Sequence, residues 1–241
     1  MSRAVVLISV VQNPEEPLRY APCAFARAEE TEMLNDFDLI ALESAVCLKE
    51  SGVLDEVVVF SMGERRDLLT KALAMGADRA VFVSCDSAVI TPEIVAAQAV
   101  EYCGKQPDTL WLLGKIGVNF ESGHTAHCLA ARLGCVAVDA ACKICWKGAG
   151  VRVTCESEFG IPRYDLALPC VVTADLRLAE PRFPSLPSIV KAKRKPVEMH
   201  EYDGDREACR SLRVFAGADT RRKCQFLSEE EFMEKLEPAG I

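Results

Sequence analysis

Short runs of consecutive apolar residues, each followed by an amphipathic stretch, repeat along the first 140 residues and leave few folds open to this chain. The pattern begins with AVVLISVV, read as a first strand, and a segment from Asp36 to Glu50 that reads as a helix ending at Gly52. Glu56–Ser61 is a second apolar run. RRDLLTKALAMG follows it, with Leu68, Leu69, Ala72 and Leu73 at helical spacing before Gly76. Arg79–Ser84 is a third run, and Thr91-Pro92-Glu93 is a helix start, because proline suits the first helical position and the threonine hydroxyl can cap free amides. That helix runs to about Cys103. TLWLLG, from Thr109, then leads through a glycine-containing loop into a helix carrying Cys128, Leu129, Ala130 and Leu133. A strand buried on both faces reads as an uninterrupted apolar run, and strands alternating with helices pair in parallel. The fold class is therefore α/β, a doubly wound, mostly parallel sheet with helices on both faces. From about Val136 the runs shorten, through VRVTCESE and YDLALPCVVTADL, which predicts a small antiparallel extension. We place the main domain at residues 1–196. Residues 197–241 read as a polar, irregular arm until SEEEFMEKL, where Ser228 and Glu231 make a capping box for a terminal helix.

Composition removes several function classes. A chain of 241 residues, half of them hydrophobic, buries a sizeable core. A net charge of −8 argues against nucleic-acid binding, which needs an extended surplus of Lys and Arg. No apolar run reaches the roughly 18 residues of a membrane span. The twelve cysteines are scattered from Cys23 to Cys224 without an export signal, so reduced thiols and a cytoplasmic location are expected.

In an open parallel sheet, ligands bind beyond the carboxyl ends of the strands, which draws attention to GKIGVNFESGHT. Gly114, Gly117 and Gly123 allow close backbone approach and Lys115 offers a positive charge. Ser122, His124 and Thr125 stand near a helix start whose amides attract phosphate, so the loop suits an anion, with plain turn chemistry as the alternative. Asn35, Asp36 and Asp38 read as caps and dipole partners of their own helix. His124 and His127, and Cys142 and Cys145, are spaced like halves of metal sites whose second halves are missing. The segment DLRLAEPRFPSLPSIVKAKRKP, Asp175–Pro196, is the most informative. Pro181, Pro184 and Pro187 at three-residue spacing exclude a regular helix or central strand, leaving Phe183, Leu186 and Ile189 on a loop. Lys191, Lys193, Arg194 and Lys195 follow as a local basic patch able to steer an acidic partner. A proline-rich crossover with a solvated basic end is the alternative.

Together, DFDLIALESAVCLKE, ALAMGADRAV, LLGK and LPCVVTADLRLAEPRFPSLPSIVKAKRKP resemble the electron transfer flavoprotein beta subunit family over nearly the whole chain. The resemblance implies an adenine nucleotide alpha hydrolase-like fold. It also implies a heterodimer with an alpha subunit that holds FAD, the arm at 197–241 packing on that subunit. This chain would be an electron-carrier subunit and not an enzyme, taking electrons from acyl-CoA dehydrogenase-type donors to a quinone oxidoreductase-type acceptor. Leu186, Pro187, Ile189, Lys191, Lys193, Arg194 and Lys195 map onto the family's partner-docking loop, and Glu156 onto a glutamate that contacts the alpha subunit. A second nucleotide, AMP in carriers or a second FAD in electron-bifurcating members, maps onto Ser9, Asn35, Asp36, Phe37, Asp38, Met62 and the loop of Gly114, Lys115, Ile116, Gly117, Val118, Asn119, Phe120, Glu121, Ser122, Gly123, His124 and Thr125. Asp36 replaces the usual proline, VNFES replaces the usual acidic run, and the bifurcating version's DTAQVGP is not recognisable at SGHTAHC. AMP is favoured over FAD.

Overall fold

A computed structural model describes residues 2–15, 19–21, 24–26, 32–118, 121–158, 160–204 and Ser228. Asn119, Phe120 and Glu231 lie outside the described residues. In chain order the elements are β1 (Arg3–Leu7), β2 (Val10–Gln12), β3 (Arg19–Ala21), β4 (Ala24–Ala26), β5 (Glu32–Leu34), α1 (Asp36–Glu50), β6 (Glu56–Gly63) and α2 (Leu69–Met75). They continue with β7 (Arg79–Ser84), α3 (Pro92–Cys103), β8 (Thr109–Gly114), α4 (His124–Leu133), β9 (Val136–Lys147) and β10 (Gly150–Cys155). The last are β11 (Arg163–Ala167), β12 (Cys170–Ala174), α5 (Leu186–Ala192) and β13 (Val197–Glu201). Two compact units emerge, Met1–Pro17 with Arg27–Ser211, and Leu18–Ala26 with Leu212–Ile241. The described part of the second includes the antiparallel pair β3 and β4.

Among the described residues the first unit is built on a nine-stranded sheet in the order β11-β10-β9-β12-β8-β1-β6-β7-β13. From β9 to β13 every neighbouring pair is parallel, and β10 and β11 add antiparallel strands at one edge. β2 and β5 pair separately as a small antiparallel sheet. The α/β class and doubly wound arrangement expected from the sequence are both present. The apolar runs have the physical cause inferred for them. Val5 and Leu7 face one core, while Ala4, Val6 and Ile8 face the other. α1, α2 and α5 cover the second of these faces and α3 and α4 the first. Thr91 caps α3 as expected, its Oγ1 accepting from the Ile94 amide at 3.3 Å.

Several segments depart from the sequence reading. CVVTA, expected in the antiparallel extension, is β12, a buried strand that pairs in parallel with β9 and β8. AVVLISVV is not one strand, because β1 ends at Leu7 and a new direction begins at β2. The chain after Pro196 is not irregular, since β13 joins β7 in parallel as an edge strand. Its side chains are largely exposed, so no apolar pattern marked it. Every cysteine among the described residues is a free thiol, and no helix among them is long and apolar enough to cross a membrane.

Candidate functional site at the switch point of the sheet

The chain runs from β1 outward through β6 to β7, then returns to place β8 on the other side of β1. The carboxyl ends of β1 and β8 therefore diverge into loops on opposite faces, which opens a crevice between them. Ser9 follows β1, Gly114 closes β8, and α1 begins beside both. Asp38 ties the three together. Its Oδ2 accepts from the Ser9 amide at 2.9 Å and the Ser9 hydroxyl at 2.7 Å, and its Oδ1 accepts from the Gly114 amide at 2.7 Å. A Cβ at Gly114 would meet Phe37 Cβ at 2.5 Å and Asp38 Oδ1 at 2.7 Å, so this approach requires glycine. Burial pushes the Asp38 carboxyl above its usual range, against the opposing pull of the hydrogen bonds from Ser9, Gly114 and Asn35.

This overturns the capping role expected for Asn35 and Asp38. Asn35 makes no side-chain cap. Its Nδ2 instead donates to the Ile116 carbonyl at 2.9 Å, spanning from α1 to the glycine loop. Its Oδ1 is buried without a hydrogen-bond partner among the described residues. A buried acceptor left unpaired costs about 1–3 kcal/mol, so this atom is suited to a donor from a ligand. Asp36 is exposed, Phe37 is half-buried, and Met62 is buried at the end of β6 on the same rim.

In the loop, Gly117 and Ser122 form a bridge, and Glu121 between them adopts a positive φ of 49°. A Cβ at Gly123 would meet the Lys115 carbonyl at 2.8 Å, so the loop closes tightly on itself. α4 begins at His124, whose amide donates to Ser122 Oγ at 3.5 Å, and Gly123 supplies no side-chain cap, so the amides that follow His124 in the first turn can face an anion. Thr125 is half-buried there, and His124 is exposed. Lys115 is turned elsewhere. Its ammonium reaches Asp175 Oδ2 at 2.8 Å and lies 5.4 Å from the Phe37 ring centroid.

Asp175 is also where the second candidate region starts. Ser185 Oγ accepts from the Ser188 amide at 3.4 Å and starts α5, so Leu186–Ala192 is helical and not the loop that the proline spacing predicted. Pro187 sits in the first turn, where its missing N–H breaks no helical hydrogen bond. Leu186 is 80 % exposed, whereas Ile189 packs against the core and Ala192 is buried. Lys191, Lys193 and Arg194 are exposed. Lys195 is not part of that surface in the same sense, because its ammonium donates to the Leu73 and Ala77 carbonyls at 2.9 and 2.5 Å and closes the end of α2.

The remaining candidates are dispersed. Glu156 is exposed and paired with Arg177, whose Nε also reaches Asp175 at 3.1 Å. His127 Nε2 lies 3.1 Å from Asp139. Cys142 and Cys145, three apart on β9, point to opposite faces of the strand, and the Cys142 thiol donates to the Thr154 carbonyl at 3.2 Å. Arg182 escaped the sequence reading as a site residue. Its guanidinium grips Glu43 and Glu50 of α1, a pairing 139 and 132 residues apart that no local pattern marks.

The profile of the electron transfer flavoprotein domain family matches residues 23–204. The chain is 40 % identical over 166 residues to the electron transfer flavoprotein subunit beta of Bradyrhizobium diazoefficiens, covering 68 % of this chain and 66 % of that protein. It is 32 % identical over 200 residues to the subunit of the same name from Dictyostelium discoideum, covering 82 % and 75 %, and 37 % identical over 171 residues to that of Sus scrofa, covering 69 % and 67 %. The matched region thus spans about two thirds of the length of the bacterial and porcine relatives. By sequence, and by a fold whose α1, glycine loop after β8 and exposed α5 all fall within the matched region, this chain belongs to the electron transfer flavoprotein beta subunit family.

Proposed function

We propose that this chain pairs with an alpha subunit and serves as the scaffold and docking half of an electron carrier. Electrons pass from an acyl-CoA dehydrogenase-type donor to a quinone oxidoreductase-type acceptor. FAD, held mainly by the alpha chain, supplies the electron-accepting chemistry, and no side chain of this chain needs to exchange electrons or protons with it. The observation that carries the proposal is α5, where Leu186 stands 80 % exposed at the start of the helix and the exposed cations Lys191, Lys193 and Arg194 mark its end, on a chain of net charge −8. A redox encounter must be fast and short-lived. An apolar anchor with a basic flank suits this, because electrostatics speed association while a small contact permits release. Leu186→Ala in the heterodimer should slow reduction by the donor dehydrogenase, with flavin content and assembly intact. Unchanged donor kinetics would remove the proposal.

The switch point suits AMP as the second nucleotide. The first turn of α4 would hold the phosphate, and the orphaned Asn35 Oδ1 matches a donor such as the adenine amino group. Asp36 and Glu121 add exposed negative charge at the ends of this site, and Lys115 is committed to Asp175, which favours a single phosphate over a longer anion. Extraction of the purified heterodimer and chromatographic identification of its nucleotides checks this. One flavin with AMP is expected, whereas two flavins together with NADH oxidation would instead establish an electron-bifurcating carrier.

A further inference from the structure

Phe183 is 98 % exposed, more than any other large hydrophobic residue among those described, and Leu186 follows three positions later. Two such side chains on a slack loop would fold back onto apolar surface, since burying each is favourable by about 1.5–3 kcal/mol. The backbone that bears them is not slack. The Arg182 amide donates to Glu43 Oε2 at 3.2 Å, and its Nε lies 2.9 Å from both Glu43 oxygens. Its Nη2 donates to Glu43 Oε1 at 2.7 Å and Glu50 Oε2 at 2.9 Å, and its Nη1 to Glu50 Oε1 at 2.6 Å. Glu43 and Glu50 are seven residues apart on α1 and so share a face two turns apart. A planar guanidinium can bridge two carboxylates in this way, and an ammonium cannot. Immediately after Phe183, the Ser185 cap fixes the start of α5.

We infer that Phe183 and Leu186 form a paired apolar anchor, and that Arg182 is the positioning residue that holds the pair toward solvent. The partner that fits is a redox protein with an apolar pocket bordered by acidic groups. Arg182 is outnumbered by its two carboxylates, so the clamp itself carries no positive charge to offer. The positive flank comes from Lys191, Lys193 and Arg194 at the other end of the helix. Holding the anchor in place beforehand lowers the ordering cost of each encounter, which matters most for a small, short-lived contact. This inference rests on the docking function proposed above and extends it to two residues.

The test uses the heterodimer, with an acyl-CoA dehydrogenase reduced by its own acyl-CoA as the probe, and compares Phe183→Ser, Leu186→Ala and Arg182→Lys. Phe183→Ser and Leu186→Ala should each raise the apparent KM for the heterodimer by about fivefold or more at unchanged kcat, as expected for an interface hot spot. Arg182→Lys should raise KM about threefold and speed amide exchange of residues 183–189 about tenfold, with exchange in β1 and β8 unaltered. If Leu186→Ala raises KM while Phe183→Ser does not, the second anchor is overturned and the docking function stands. If neither changes KM, docking itself fails. Release of the alpha subunit by Phe183→Ser, or loss of a self-associated form, would assign Phe183 to that interface and overturn the inference. Unchanged exchange in Arg182→Lys would overturn the positioning role.

Discussion

Asp38 and Glu43 lie on the same helix five residues apart and are equally buried, at 5 % exposure each, yet the molecule treats their charges in opposite ways. Asp38, at the switch point, is surrounded by neutral donors from Ser9 and Gly114, and burial pushes its carboxyl upward. Glu43 suffers desolvation too, but the hydrogen bonds and charge of Arg182 outweigh it and hold that carboxyl below its usual range. The switch point is thus assembled by dipoles, which fix geometry without adding positive charge. The segment after Asp175 is fastened by ion pairs, at Asp175 to Lys115 and at Arg182 to α1. One region is closed upon itself by neutral hydrogen bonds, while the other is strapped down with Phe183 and Leu186 facing out.

Removing Asp38 should have the largest effect. Asp38→Ala leaves the Ser9 and Gly114 amides without their acceptor, and a loss of about 3 kcal/mol in urea unfolding is expected. A loss below about 1 kcal/mol would show that the switch point is not held by this carboxylate. Next comes the pH dependence that separates the two groups. A raised carboxyl pKa contributes stability that is present below the ordinary aspartate value, about 3.9, and is lost as pH rises through the folded pKa. A depressed one contributes stability that is present above the ordinary glutamate value, about 4.3, and is lost as pH falls through the folded pKa. The stability difference between wild type and Glu43→Gln should therefore be greatest at neutral pH and shrink below about pH 4, as read from urea midpoints between pH 3 and 8. A difference that grows on acidification would contradict the charge-pair account.

Smaller effects divide the basic run. Lys195→Met should cost about 1 kcal/mol in thermal or urea unfolding by uncapping α2, with little change in the salt dependence of donor reduction. Lys191→Glu with Lys193→Glu should behave in the reverse manner. Stability should change by less than about 0.5 kcal/mol, while association with the donor slows several-fold at low salt and recovers toward wild type as ionic strength rises. Equal behaviour of Lys195 and Lys193 in both assays would erase the distinction between a structural and a steering lysine.

Local order was well marked in the chain itself. The bounds of α1, β7, α3 and β8 follow from apolar runs, a Thr-Pro-Glu start and glycine stops, all of them short-range signals. The family motifs were equally legible, since they are linear strings. Side-chain partners were not. Asn35 and Asp38 stand where caps stand, and only the approach of Gly114, 76 residues away from Asp38, reveals that the carboxylate closes a crevice. The prolines of the Asp175–Pro196 segment suggested a loop, although Ser185 and Pro187 together form a helix start. Three-residue proline spacing excludes a helix interior, but Pro187 occupies only the first turn of α5.

By itself the sequence determined the α/β class, the parallel sheet and the family, because backbone propensity and the period of apolar residues act over a few neighbours at a time. Tertiary structure decided which charged groups meet. It turned Lys115 toward Asp175, joined Arg182 to Glu43, and separated Lys195 from the exposed Lys191, Lys193 and Arg194. Ion pairs and hydrogen bonds depend on distances of about 3 Å. Distances of that kind between residues far apart in the chain are set only when the strands align and the helices pack.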